Sequence, residues 1–155
     1  MSKQLNFDTG IVDYEINGGA HVRFNPADVA FTECFYNTFK QLESQQEEFE
    51  KRVAEINEGD RTELFAYARE RDAEMRERIN ELFQDDIADS IFGGCNCYAM
   101  AEGMPLWINF LFAVAEEIRN AYDEESKKQD PRLKQFDAKH EELLRKYRNA
   151  TTKHD

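Results

Sequence analysis

Six apolar residues, Phe35, Phe39, Leu42, Phe49, Val53 and Ile56, recur at steps of four, three, seven, four and three. A helix is the local structure that places such spacing on one face, so this seam predicts a long helix packed along its length. Gln46 is the single polar member of the seam. The run "NEGD" at 57–60 ends the pattern, with Gly59 as the stop and Asp60 as the next cap. A second helix then carries Leu64, Ala68, Met75, Ile79, Leu82 and Phe83, and its pattern extends to Ile87 and Ile91. Two long helices joined by so short a turn form an antiparallel hairpin, around which the rest of the chain has to be built. A seam of this length also suits pairing between two copies, so a homo-oligomer stays open.

Ahead of this hairpin the period changes from helix to strand. Val12, Tyr14 and Ile16 alternate with Asp13 and Glu15, and Ala20, Val22 and Phe24 alternate with His21 and Arg23. Asn17, Gly18 and Gly19 between them supply the positive φ of a tight turn, which predicts a β-hairpin, and "KQLNF" at 3–7 offers a third strand. Asn25 and Pro26 are placed to cap and open the first helix. A loop from Gly93 to Gly103 and then Pro105 lead into a third helix, apolar around much of its circumference, with Leu106, Trp107, Phe110, Leu111, Val114, Ala115 and Ile118. "DEESKKQDP" reads as a polar linker, and a final amphipathic helix opens at Asp130 and Pro131, with Leu133, Phe136, His140, Leu143, Leu144 and Tyr147 on one side. The expected fold is therefore α+β and predominantly helical. It has a two- or three-stranded N-terminal hairpin on a bundle of about four helices. Residues 1–122 form one domain (hairpin 1–24, helical body 25–122), followed by the linker and C-terminal helix of 123–155.

At 155 residues the chain is the size of one domain able to bury roughly 70% of its extended surface. Its 32 acidic and 20 basic residues leave a net charge of −12, which opposes approach to nucleic acid or an anionic membrane. Residues 123–155 hold nine basic against eight acidic residues, so the acidic excess lies in residues 1–122. Neither a signal peptide nor an apolar run long enough to span a bilayer is expected. Three cysteines, two of them separated by one residue, suit a reducing compartment.

The stretch "FGGCNCYAMAEGMPLWINFL" concentrates the residues that could carry chemistry. Cys95 and Cys97 are one close pair where a structural zinc site needs two, and the three histidines His21, His140 and His154 share no ligand spacing. A thioredoxin-like pair has two intervening residues and this has one. Loop packing is the expected role of both cysteines, and serine at both is expected to leave folding nearly intact. Asp85, Asp86 and Asp89 lack the glycine and twelve-residue pattern of a calcium loop and read as a solvated helix face. No phosphate-binding, nucleophile-elbow, zinc-protease or dinucleotide motif is present. Trp107 suits either a core or a binding hot spot, and Asn109 needs a polar partner. No catalytic residue, metal or cofactor is expected. Candidate partner-binding residues are Trp107, Phe110, Leu133, Phe136, Leu143, Leu144 and Tyr147.

Four stretches, "LNFDTGIVDYEING", "VRFNPADVAFTECFYNTFKQLE", "RERDAEMRERINELF" and "IFGGCNCYAMAEGMPLWINFLFAVAEEI", resemble a family of small acidic proteins from tailed phages and prophages of Gram-positive bacteria. The similarity runs over residues 4–118. Its most distinctive pieces are Arg23-Phe24-Asn25-Pro26, Arg71 to Arg76, and the block from Phe92-Gly93 to Asn109-Phe110. Members of such families look like tail assembly chaperones. The resemblance implies a non-enzymatic factor in the cytoplasm of the bacterial host that binds the tape-measure protein, keeps its apolar helices soluble and recruits tail tube subunits. The alternatives are a structural virion component, such as a tail or head-tail connector protein, and a small metal or redox protein.

Overall fold

The computed structural model describes residues 1–56, 59–128, 139, 141–146 and 148–149. The chain divides into two compact units, Met1–Tyr122 and Asp123–Asp155. The first opens with strands β1 (Val12–Ile16) and β2 (Ala20–Phe24), antiparallel with Val12 opposite Phe24 and Ile16 opposite Ala20. Asn17 and Gly18 adopt φ of 50° and 75°, as the turn requires, and Gly19 N donates to Ile16 O at 3.1 Å. Among the described residues no third strand joins this sheet. Residues 1–11 form an arm in which Leu5 and Phe7 are exposed, so the optional strand at 3–7 has no sheet partner.

Helix α1 spans Val29–Glu55 and α2 spans Arg61–Phe83. The seam of α1 faces inward: Phe35, Leu42 and Ile56 are buried, and Phe39, Phe49 and Val53 are half-buried. The helix starts three residues later than Asn25 and Pro26 suggest. Asp28 is the cap, accepting from Ala30 N at 2.9 Å, whereas Asn25 accepts from Ala27 N at 2.8 Å and donates to Thr9 O at 2.9 Å. Asp60 caps α2 by accepting from Glu63 N at 3.0 Å.

Helix α2 does not run on to Ile91. Gln84 turns left-handed, with φ 53°, and a separate short helix α3 follows at Ala88–Phe92. The break is stabilised by Asn80, whose Oδ1 accepts from Ile87 N at 2.9 Å and Ala88 N at 2.8 Å, satisfying donors that a helix start leaves free. Beyond it a two-residue ribbon pairs β3 (Met100–Ala101) with β4 (Met104–Pro105), and α4 runs Leu106–Lys127. The first five residues of the expected polar linker, 123–127, are thus helical. In the second unit, residues 141–146 are helical and Leu143 and Leu144 are exposed. The expected opening of the last helix at Asp130 and Pro131 lies outside the described residues.

The core of the first unit joins the hairpin to the helices through aromatic rings. Phe24 of β2 stacks on Tyr14 at 4.8 Å and on Phe31 at 4.9 Å; Phe31 meets Phe83 at 5.6 Å, and Phe83 meets Phe110 at 5.7 Å. Such contacts add about 0.5–1.5 kcal/mol each beyond area burial, which is how a two-stranded hairpin, marginal alone, is held.

Candidate functional site

Helix α2 carries Asp72 and Arg76 one turn apart, and together they hold the loop after α3. Arg76 Nε donates to Asp72 Oδ2 at 3.1 Å and Nη1 to Asp89 Oδ1 at 2.9 Å, while Nη2 donates to Gly93 O at 3.0 Å and Cys95 O at 2.6 Å. Asp72 Oδ1 in turn accepts from Cys97 N at 2.7 Å. A turn earlier on α2, Ala68 O accepts from Asn96 Nδ2 at 3.0 Å. The loop also caps the next helix: Leu106 N donates to Ala99 O at 2.8 Å and Trp107 N to Cys97 O at 3.1 Å, giving the first amides of α4 their acceptors. One ion pair thus fixes α2, the loop and the start of α4 together.

The electrostatics follow from partial burial. Burial works against the Arg76 charge, but its bonds to Asp89 and Asp72 outweigh that and raise its pKa. Burial pushes the Cys97 thiol well up, reinforced by Asp72 and only partly countered by Arg76. Tyr98 is likewise pushed up by burial, with Arg71 opposing. Cys97 is therefore a protonated, buried thiol at neutral pH, suited to packing and not to nucleophilic attack. Cys34 and Cys95 are exposed, and all three thiols are free. Cys97 is 0% exposed and its Sγ donates to Asp72 O at 4.0 Å, the acceptor that a serine hydroxyl there would have to reach. Among the described residues no three His, Cys, Asp or Glu side chains gather where they could hold a metal ion. Nor, among them, is any helix long and apolar enough to cross a membrane.

Where the held loop meets α1 and α2 it walls a groove of about 450 Å³, lined by Phe49, Phe65, Ala68, Tyr98 and Ala99, with Arg69 and Asn96 as its polar members. Its floor is rigid. Phe49 stacks on Tyr98 at 4.1 Å and on Tyr67 at 5.9 Å. Phe65 in the lining is 55% exposed, and Met100, which follows Ala99, is 65% exposed. The Tyr98 hydroxyl is buried without a hydrogen-bond partner among the described residues.

The sequence-predicted partner residues fall in three places. Trp107 and Phe110 are core residues, 0% and 8% exposed, so in this fold neither presents surface to a partner; that expectation is corrected. Trp107 Nε1 donates at 2.8 Å to Oε1 of Gln46, the polar member of the α1 seam, which explains both residues. Asn109 finds its partner in Ala101 O at 3.0 Å. Leu143 and Leu144 are exposed in the second unit, and Leu133, Phe136 and Tyr147 lie outside the described residues. Sequence reasoning gave no role to the Asp72–Arg76 clamp or to the Phe65 groove. The signal for the clamp was present: Asp72 and Arg76 share a helix face with Met75, Ile79 and Phe83, and opposite charges four apart on an apolar face suggest a held partner. Compared with family models, curated proteins and solved structures, the chain finds no match.

Proposed function

We propose that this chain is a non-enzymatic protein-binding factor of phage tail assembly, acting in the bacterial host cytoplasm on tape-measure and tube proteins. The observation that carries the binding role is the groove beside the clamped loop, with Phe65 in its lining and Met100 alongside, both more than half exposed. An apolar groove beside a loop held by hydrogen bonds suits the apolar face of an amphipathic helix. Leu143 and Leu144 of the second unit offer further apolar contact. The assignment to tail assembly rests on the sequence resemblance over residues 4–118. Tape-measure proteins, as long helical chains with apolar faces, are the partner class that such a groove would keep from aggregating.

The test is capture of tape-measure protein by the tagged full chain from phage-producing cells, comparing wild type with Phe65→Asp. A charge in the groove is expected to lower capture about tenfold or more while circular dichroism stays unchanged. Undiminished capture by the folded variant would remove the groove from the binding role. Recovery of the chain at fixed copy number in density-purified particles would make it a structural virion component instead.

A further inference from the structure

The arm of residues 1–11 is held at its root and unsupported beyond it. Gly10, at φ +74°, lies so close to Asn25 that a Cβ there would stand 2.6 Å from Asn25 Nδ2. Asn25 Nδ2 donates to Thr9 O, and Gly10 N donates to Asp8 Oδ1 at 2.8 Å. This pin turns the preceding residues off the body: Leu5 is 92% exposed and Phe7 83%. They stand two residues apart, a spacing that puts both side chains on one side wherever the segment is extended.

Beside the pin lies a second groove, of about 380 Å³, whose lining includes Phe24, Phe31, Leu82 and Phe83, with Cys34 and Ala30 contributed by α1. Thr9 and Ile11, the root of the arm, line it too. Donor and receptor therefore sit side by side on one surface, and the donor is directed outward. This is the arrangement of a two-fold contact, in which each copy gives what it receives.

Charge favours a second copy at this place. The net −12 sets copies against one another. The arm, however, carries one base and one acid, Lys3 and Asp8, and the groove one of each, Arg23 and Asp28. Side-chain charges that balance on both surfaces let them meet here with less of the repulsion that acts over the rest of the chain.

We propose that Leu5 and Phe7 enter the groove beside the pin on a second copy of this chain, which returns its own arm, giving a two-fold dimer. The dimer needs no tail protein, so it is tested on the purified full chain and stands or falls apart from the chaperone reading. Sedimentation equilibrium over a wide concentration range should show a reversible dimer. Leu5→Asp with Phe7→Asp, or Ala30→Glu in the groove, should weaken it about a hundredfold or more with unchanged circular dichroism. In a Cys95→Ser background, Phe7→Cys should form an interchain disulfide with Cys34 on mild oxidation. A monomer at all concentrations, a dimer that survives both sets of substitutions, or an intrachain disulfide to Cys34 would each overturn the proposal. So would a monomer that binds a tape-measure fragment through Leu5 and Phe7, which would give the arm to a different partner.

Discussion

Gln46 and Trp107 show what a single polar atom does in an apolar seam. The indole N–H is buried, and it donates to Gln46 Oε1. Gln46→Leu keeps the seam apolar but strands that donor, and is expected to lower the unfolding free energy by about 1–3 kcal/mol in urea denaturation. Trp107→Phe on the Gln46→Leu background should recover part of the loss, because a ring without a donor needs no acceptor; a double-mutant cycle reads the coupling. The sequence made Gln46 conspicuous and left Trp107 divided between core and surface. The link between them was not legible, since 61 residues separate them and periodicity says which face of a helix is buried but not which helix it meets. Cys97 offers a second residue-scale test. Its thiol is raised in the folded chain, while in the unfolded chain it titrates near the ordinary value of about 8.5. Above that pH the unfolded state loses a proton that the folded state keeps, so stability is whole below about pH 8.5 and falls as pH rises beyond it. The slope is up to about 1.4 kcal/mol per pH unit, and Tyr98 adds to it above about pH 10. Urea melts from about pH 7.5 to 10 should show the fall in wild type and a flatter profile in Cys97→Ala.

At the scale of elements, the two long helices and the β-hairpin were legible because each is written in a period, 3.6 or 2, that runs for many residues. The elements that position the candidate site were not. The end of α2 at Phe83 depends on Asn80 reaching forward to the amides of 87 and 88, and the apolar spacing through Ile87 and Ile91 continues as though no break were there. The start of α1 moved for a similar reason, since Asn25 is committed to the arm and to Ala27, leaving Asp28 to cap. Polar side chains with local alternatives decide such boundaries, and hydrophobic periodicity does not register them. The clamp is the element-scale feature with the largest expected energy. The side chains of Arg76 and Asp72 are 14% and 19% exposed, and Arg76→Gln would leave Asp72 partly buried without its counter-charge and free two loop carbonyls. A loss of about 3 kcal/mol is expected in urea denaturation. Arg76→Lys should recover only part of it, because an ammonium cannot span Asp72, Asp89 and the two carbonyls as the guanidinium fork does.

For the whole molecule, charge and apolar surface divide the labour. The acidic excess sets copies of the chain against one another, and its large exposed apolar side chains include those of the Phe65 groove, the arm, and the helical residues of the second unit. The fold class could be read from pattern alone because it depends on the order of periods along the chain. Which apolar residues stay outside could not, because Phe110 and Phe65 are the same side chain and differ only in what the tertiary fold lays over them. The clamp grips the loop by its main chain, through the carbonyls of Gly93 and Cys95 and the amide of Cys97, and it is indifferent to the side chains it holds in place. Cys95 is exposed, and a Cβ on Gly94 would meet nothing within 4 Å. A lineage carrying this fold could therefore rewrite that part of the loop freely, acquiring new surface preferences by drift at two positions while the frame that displays them stays as it is.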